Sequence, residues 1–194
     1  MKGRLIVVLF AVAFAVSATV QGAPYKVDVV HSSVGFTVQH LGISEVRGVF
    51  TNFAGAIEFD AQKPDAFAAS GTVQVASVDT RDAGRDKHLR SADFFDADKY
   101  PEIKFEATSA SKSGDAWVVK GKFTMHGTTR EIELRGTVQG PIKDPWGKMR
   151  MGITAGATIN RQDYGVVWSK KLDSGGLVVG DLVKIELHIE ALGQ

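Results

Sequence analysis

The feature that most narrows what this chain can fold into is a period of two in its apolar residues, repeated in segment after segment. Tyr25, Val27 and Val29 alternate with Lys26 and Asp28, and Val34, Phe36 and Val38 alternate with Gly35, Thr37 and Gln39. Successive side chains of a strand point to opposite faces, so this alternation marks strands with one apolar and one wet face. Val46, Gly48 and Phe50 begin another run. Phe53 breaks its phase before Ile57 and Phe59 resume it, which predicts a bulge near Asn52. Trp117, Val119, Gly121, Phe123 and Met125 share a face, and the turn His126-Gly127-Thr128-Thr129 follows. Ile132, Leu134, Gly136 and Val138 return on one face with Glu131, Glu133 and Arg135 on the other, which is a hairpin with a polar outside. Met149, Met151, Ile153, Ala155, Ala157 and Ile159 form a further face, and Val183, Ile185, Leu187, Ile189 and Ala191 the last.

Several long antiparallel strands with little helix predict a sandwich or a barrel. One apolar face per strand fits a single sheet closed on itself. A strand of about twelve residues spans roughly 40 Å at ~3.3 Å per residue, a tall container. The inward faces also carry small residues: Ala107, Gly121, Gly136, Ala155 and Ala157. These favour a hollow barrel, although small residues also serve where a sheet bends or packs closely.

One stretch departs from the alternation. Between Ser77 and Phe105 the chain carries a dense block of mixed charge: Asp79, Arg81, Asp82, Arg85, Asp86, Lys87, Arg90 and Asp93. Thr80 or Asp82 is placed to cap a short helix, because a side-chain oxygen there accepts orphan amide hydrogens of the first turn. Leu89, Phe94 and Phe95 are its predicted buried points, and Tyr100-Pro101 ends it. The block reads as a charged helical crossing over a β-rich body, its charges paired among themselves. Asp60 to Ser70, with Pro64 and several alanines, reads as a loop or one helical turn.

The same residues carry a family resemblance. Ser77-Val78-Asp79-Thr80, Arg85-Asp86-x-His88-Leu89, Asp93-Phe94-Phe95 and Tyr100-Pro101 resemble the YceI-like family of periplasmic isoprenoid-binding proteins. So do His31-Ser32 with Phe36 and His40, Gly48-x-Phe50, His126-Gly127, Arg161-x-Asp163-Tyr164-Gly165 and Val179-Gly180-Asp181. The pieces occur in order from about Tyr25 to Ala191, and Tyr164, where the family often has Phe, is a neutral departure. The resemblance implies a lipocalin-like antiparallel β-barrel of about eight strands with one or two short helices. It also implies a long apolar cavity, no metal, no cofactor, and a lipid ligand such as a polyprenyl chain or an isoprenoid quinone. The wall of that cavity would then come from the inward faces: Phe36, Phe50, Ile103, Phe105, Trp117, Val119, Phe123, Met125, Ile132, Leu134, Met151, Ile153, Ala155 and Ala157. Arg85, His88 and Arg90 would be the candidates to meet a polar head, against the plainer reading that neighbouring acids already match them.

The N-terminus bounds the compartment. Lys2 and Arg4 precede the apolar run Leu5 to Val16, and Val20-Gln21-Gly22 offers small residues before Ala23. That is the pattern of a secretory signal over Met1–Gly22, and its run is shorter than the ~20 residues a membrane span needs. The expected mature protein is one domain over residues 23–194, exported to the periplasm and not stably inserted in a membrane. Losing Lys2 and Arg4 turns a chain with a formal charge of +1 slightly acidic. No basic stripe argues for nucleic acid. The absence of cysteine excludes a disulfide framework and a thiol nucleophile. Nothing in the sequence fixes the oligomeric state, and a homodimer stays open.

Catalytic and metal signatures are weak. No histidine pair has the helical spacing of a zinc protease, and there are no thiolates to complete a site. Ser77, Asp79 and His88 supply the residue types of a hydrolase, but no Gly-x-Ser-x-Gly elbow positions a serine. A lipid-acting enzyme would use His31, His40 or His88 as its base. A binding partner of a membrane redox protein would show an exposed apolar patch, for which Trp146 and Trp168 are the candidates. The expected function is enclosure of one long apolar molecule, driven by removal of about 25 cal/mol per Å² of apolar surface from water, and the protein is not expected to be an enzyme.

Overall fold

The alternating apolar residues lie on strands, except Val29, which is exposed in the turn after the first strand. The computed structural model describes residues 22–60, 62–63, 66–173 and 175–194; the expected signal lies outside these but for Gly22. Eleven strands follow in order: β1 (Ala23–Val27), β2 (Ser33–His40), β3 (Ser44–Phe50), β4 (Phe53–Phe59), β5 (Ala68–Gln74), β6 (Val78–Asp79), β7 (Glu102–Ser113), β8 (Ala116–Met125), β9 (Thr128–Lys143), β10 (Met149–Asn160) and β11 (Val179–Gly193). Every pairing is antiparallel, and β1 pairs with both β4 and β11, so the sheet closes.

The eleven segments make eight staves. β11 pairs along its length with β2 and then β1, so β1 and β2 form one interrupted stave. β3 and β4 pair with β2 and β1 respectively and form the second. β5 and β6, which face β4 and β3, form the third. The all-β, eight-stranded antiparallel barrel expected from the sequence is the observed fold. The break between β3 and β4 falls at Thr51 and Asn52, where the alternation lost its phase. Ser77 holds it: its Oγ accepts from the Asn52 amide at 3.0 Å and its carbonyl accepts from the Thr51 amide at 3.1 Å. An interruption of the ladder leaves backbone groups to satisfy, and Ser77 satisfies two of them.

Two buried clusters close the two ends. At one end Tyr25, Ile57, Phe59, Trp117, Met151 and Ala191 pack together, with the Phe59 and Trp117 rings edge to face at 5.3 Å. We call this the hairpin end, after the β9–β10 connection beside it. At the other, the helix end, Phe50, Val78, Phe94, Phe123, Met125, Ile159 and Tyr164 form the larger cluster. Helix α1 (Ala83–Arg90) crosses here, with Leu89 and Phe95 packed on that cluster.

Asp82 is the cap of α1: its Oδ1 accepts from the Arg85 amide at 2.7 Å. Thr80, the alternative, does something else. Its hydroxyl donates to the buried Asp86 carboxylate at 2.6 Å and accepts from Arg85 Nε at 2.7 Å. The charges of the crossing are therefore not paired among themselves as the sequence suggested. Asp86 accepts the Thr80 amide, Arg85 reaches the Thr80 carbonyl, and Arg90 reaches the carbonyls of Ala76 and Val78. Between Asp79 and Asp93 the one ion pair among the described residues is His88 with Asp93 at 2.8 Å. The broken stave leaves carbonyls at the barrel edge, and donors that bind them are unavailable to neighbouring carboxylates. The Asp60–Ser70 segment lies partly outside the described residues, and β5 begins at Ala68.

Candidate functional site

Between the two end clusters the barrel is hollow. The cavity measures about 280 Å³ and is lined from every strand except β1's outer end and β6, together with Leu89, Phe94 and Phe95 of the crossing. Its wall is apolar apart from Ser70, Thr72, Thr137, Lys104 and Arg161, and among the described residues it carries no carboxylate and no histidine. Small residues oppose one another at two places along this wall. Gly55 faces Gly71 across β4 and β5, and Gly136 faces Ala155 across β9 and β10. A Cβ built on Gly71 would meet only the Ala54 carbonyl, at 3.8 Å, so this position opens into space. At Gly136 the reason is different: a Cβ there would collide with the Thr154 carbonyl and with Ala155.

Of the residues predicted to form the wall, all but Met151 and Ala157 line the cavity. Met151 is almost fully buried in the hairpin-end cluster against Tyr25 and Trp117, where it belongs to the plug rather than the wall. Ala157 is in phase with Ala155 and Ile159, which do line the cavity, but is not itself part of the wall. Met149 ends its face exposed, beyond the barrel rim. The sequence reading left out Phe53, Val73, Val183, Ile185, Leu187 and Arg161 as wall residues. Alternation carries the signal for the apolar ones. For Arg161 it carries none, because the residue follows β10 on a short 3-10 turn, Arg161–Tyr164.

Arg85, His88 and Arg90 are absent from the wall. The crossing turns Leu89 toward the cavity, while Arg85 bonds Thr80, His88 bonds Asp93 and Arg90 bonds the Val78 carbonyl. Nor do Ser77, Asp79 and His88 meet: the Ser77 hydroxyl donates to the Gln74 carbonyl, and His88 Nε2 bonds Asp93. Trp168 packs between the rings of His88 and Phe94, both at about 5 Å. Trp146 alone of the two tryptophans stands exposed, at the tip of the β9–β10 hairpin.

The two arginines near the ends of the barrel differ. Arg161 is 4 % exposed and donates from Nε to the Gly180 carbonyl at 2.9 Å, from Nη1 to Val166 at 2.7 Å, and from Nη2 to Val179 and to Asp181 Oδ1 at 3.1 Å. Burial pulls its pKa down, and Asp181 only partly offsets that. Arg150 sits outside the wall among Asp144, Glu190 and Asp28, whose carboxylates hold its pKa up. Asp28, His31 and Glu190 are close enough together to offer ligands to a cation, but the Arg150 guanidinium already bonds two of them. No helix among the described residues is long and apolar enough to cross a membrane.

Comparison with known proteins agrees with the geometry. The model of the YceI-like domain matches residues 25–191. A UPF0312 protein of Photorhabdus laumondii is 43% identical over 144 residues, 73% of this chain and 75% of its own length. Protein YceI of Shigella flexneri is 39% identical over 168 residues, 86% of this chain and 88% of its own. Among solved structures, Burkholderia cenocepacia BcnA superposes with a TM-score of 0.75 at 25% identity, over 84% of this chain and 98% of that one. A polyisoprenoid binding domain from Saccharophagus degradans shares the fold with a TM-score of 0.65 at 15% identity, over 88% of this chain and 98% of that one.

Proposed function

The chain belongs to the YceI-like family, and from that premise we propose that it is an exported carrier or sequestering protein for one long apolar lipid of the isoprenoid type. The observation that carries this reading is the closed barrel with a hollow, almost wholly apolar interior. Such a wall holds a chain by taking its surface out of water, at about 25 cal/mol per Å², and needs few directed contacts. Isoprenoid identity draws its support from the family resemblance and from the fold shared with the polyisoprenoid binding domain of Saccharophagus degradans. Export draws on the charged start, short apolar run and small-residue exit of Met1–Gly22.

Native extraction of the purified protein followed by mass spectrometry should release a long-chain lipid. Ala155→Trp is the matching variant, since Ala155 borders the cavity opposite Gly136. It should abolish or shorten the extracted chain and leave the melting temperature of lipid-free protein nearly unchanged. A packed interior would make the same change cost ~1–3 kcal/mol. Wild-type protein that yields no lipid and takes up none would end the carrier reading.

A further inference from the structure

The cavity has one charged group at its end that the proposed carriage of an apolar chain does not use. Arg161 lines the helix end, and its four hydrogen bonds consume four of its five N–H groups. The fifth, on Nη1, has no acceptor among the described residues. Arg161 is nearly buried and borders the cavity, so a hydrocarbon packed against this end would leave that donor unpaired, and an unpaired buried donor is costly. A ligand whose terminus carries an acceptor removes the cost.

The charge balance limits what that acceptor is. Arg161 is paired with Asp181 at 3.1 Å, and the other cation on the wall, Lys104, is paired with Glu102 at 2.8 Å. Lys104 is also half exposed, and its pKa is raised by that same glutamate. Neither cation is left over to neutralise a phosphate or carboxylate carried into an apolar cavity, where an uncompensated charge is far more costly than a neutral dipole. We infer that Arg161 positions the ligand by hydrogen bonding an uncharged oxygen, a hydroxyl or carbonyl, at the helix end, with the apolar tail running toward Trp117. This rests on the carrier reading above. It narrows the ligand to neutral amphiphiles and gives it a direction in the barrel.

The test uses one C20 isoprenoid chain in three forms: the alcohol geranylgeraniol, geranylgeranyl phosphate, and the hydrocarbon without a head. Lipid-free protein is titrated with each in competition with a fluorescent fatty probe. The alcohol should bind about tenfold or more tightly than either of the others, and Arg161→Met should bring alcohol and hydrocarbon level. Because that variant removes bonds to three backbone carbonyls and is expected to be unstable, the direction is also read in wild-type protein. A diazirine beside the hydroxyl should label the Val166 and Val179 segments, and one at the far end of the chain should label β8 near Trp117. Phosphate as the tightest ligand, or head-group labelling near Trp117, overturns the inference and leaves the carrier reading standing. If none of the three binds, the carrier reading fails and takes the inference with it.

Discussion

Arg150 and Arg161 carry the same side chain at opposite ends of one barrel, and their surroundings push them in opposite directions. Arg150 is 22 % exposed and faces three carboxylates; its pKa rises, chiefly through the bond to Asp144 and then through Glu190. Arg161 is 4 % exposed and faces three carbonyls and one carboxylate; its pKa falls because burial outweighs Asp181. The difference separates two uses of a cation. At the hairpin end Arg150 ties loops together, Asp28 before β2 to Asp144 in the β9–β10 turn and Glu190 on β11. At the helix end Arg161 satisfies the backbone of the β10–β11 connection and borders the cavity. One is a surface pin and the other a buried strut.

The sharpest way to break that distinction is to remove each guanidinium. Arg161→Met takes a donor from each of the carbonyls of Val166, Val179 and Gly180 and takes the cation from Asp181. Leaving a buried polar group without its partner typically costs ~1–3 kcal/mol, and urea unfolding of lipid-free protein should show a loss of at least that order. Arg161→Lys should recover little of it, because an ammonium cannot reproduce the fork that reaches several acceptors at once. An Arg161→Met protein as stable as wild type would remove the strut.

This contrast also marks where the sequence was legible. The strands, their inward faces and even the break at Asn52 were readable, because a period of two is a local property of the chain. Most of the wall follows from the same alternation. Met151 was misplaced because periodicity assigns a face but not a height along the barrel, and height decides between wall and plug. The charged crossing misled in a related way. Charge alternation suggested mutual pairing, whereas Arg85 and Arg90 turn to Thr80 and to the carbonyls of Ala76 and Val78, which long-range strand pairing puts within reach. Arg161 stands in one of the motifs of the resemblance, but alternation gave it no place in the wall. Its acceptors lie on residues 166 and 179–181, and nothing in the spacing places them around one guanidinium.

Arg150→Met should have a smaller effect, because Arg150 itself is nearer water than Arg161, at 22 % against 4 % exposure, and the amides of Trp146 and Lys148 still satisfy Asp144 when it goes. Its signature is ionic strength. Three carboxylates left together repel one another most at low salt, and with a Debye length of ~10 Å at 0.1 M that repulsion fades as salt rises. The stability gap between wild type and Arg150→Met should therefore narrow between low salt and 0.5 M, where the Debye length has fallen to roughly 4 Å. The gap for Arg161→Met should stay put, since carbonyl hydrogen bonds in a buried site are little screened. Equal salt responses for the two variants would erase the distinction drawn between them.

The smallest effect is expected from acid, and it divides the loops around Arg150 from the connection around Arg161. The His31 hydrogen bond is the main cause that holds the Asp28 pKa below its ordinary value, and Arg150 does the same for Asp144. A folded-state pKa below the unfolded one means that ionisation favours the folded protein. That contribution is complete above the unfolded value of ~3.9 and is lost as pH falls through the lower folded values. The Asp28 carboxylate accepts the Val30 amide at 3.0 Å, and that of Asp144 accepts the amides of Trp146 and Lys148 at 2.9 and 2.8 Å. Those three amides should lose hydrogen-exchange protection as the pH drops below about 4. At the helix end the amides of Gly165 and Val166 bond to carbonyls, and three of the four acceptors of Arg161 are carbonyls that do not titrate. Protection there should persist to lower pH. If both sets open together as acid is added, the loops at the hairpin end are not pinned by their carboxylates, and the barrel loosens as one unit.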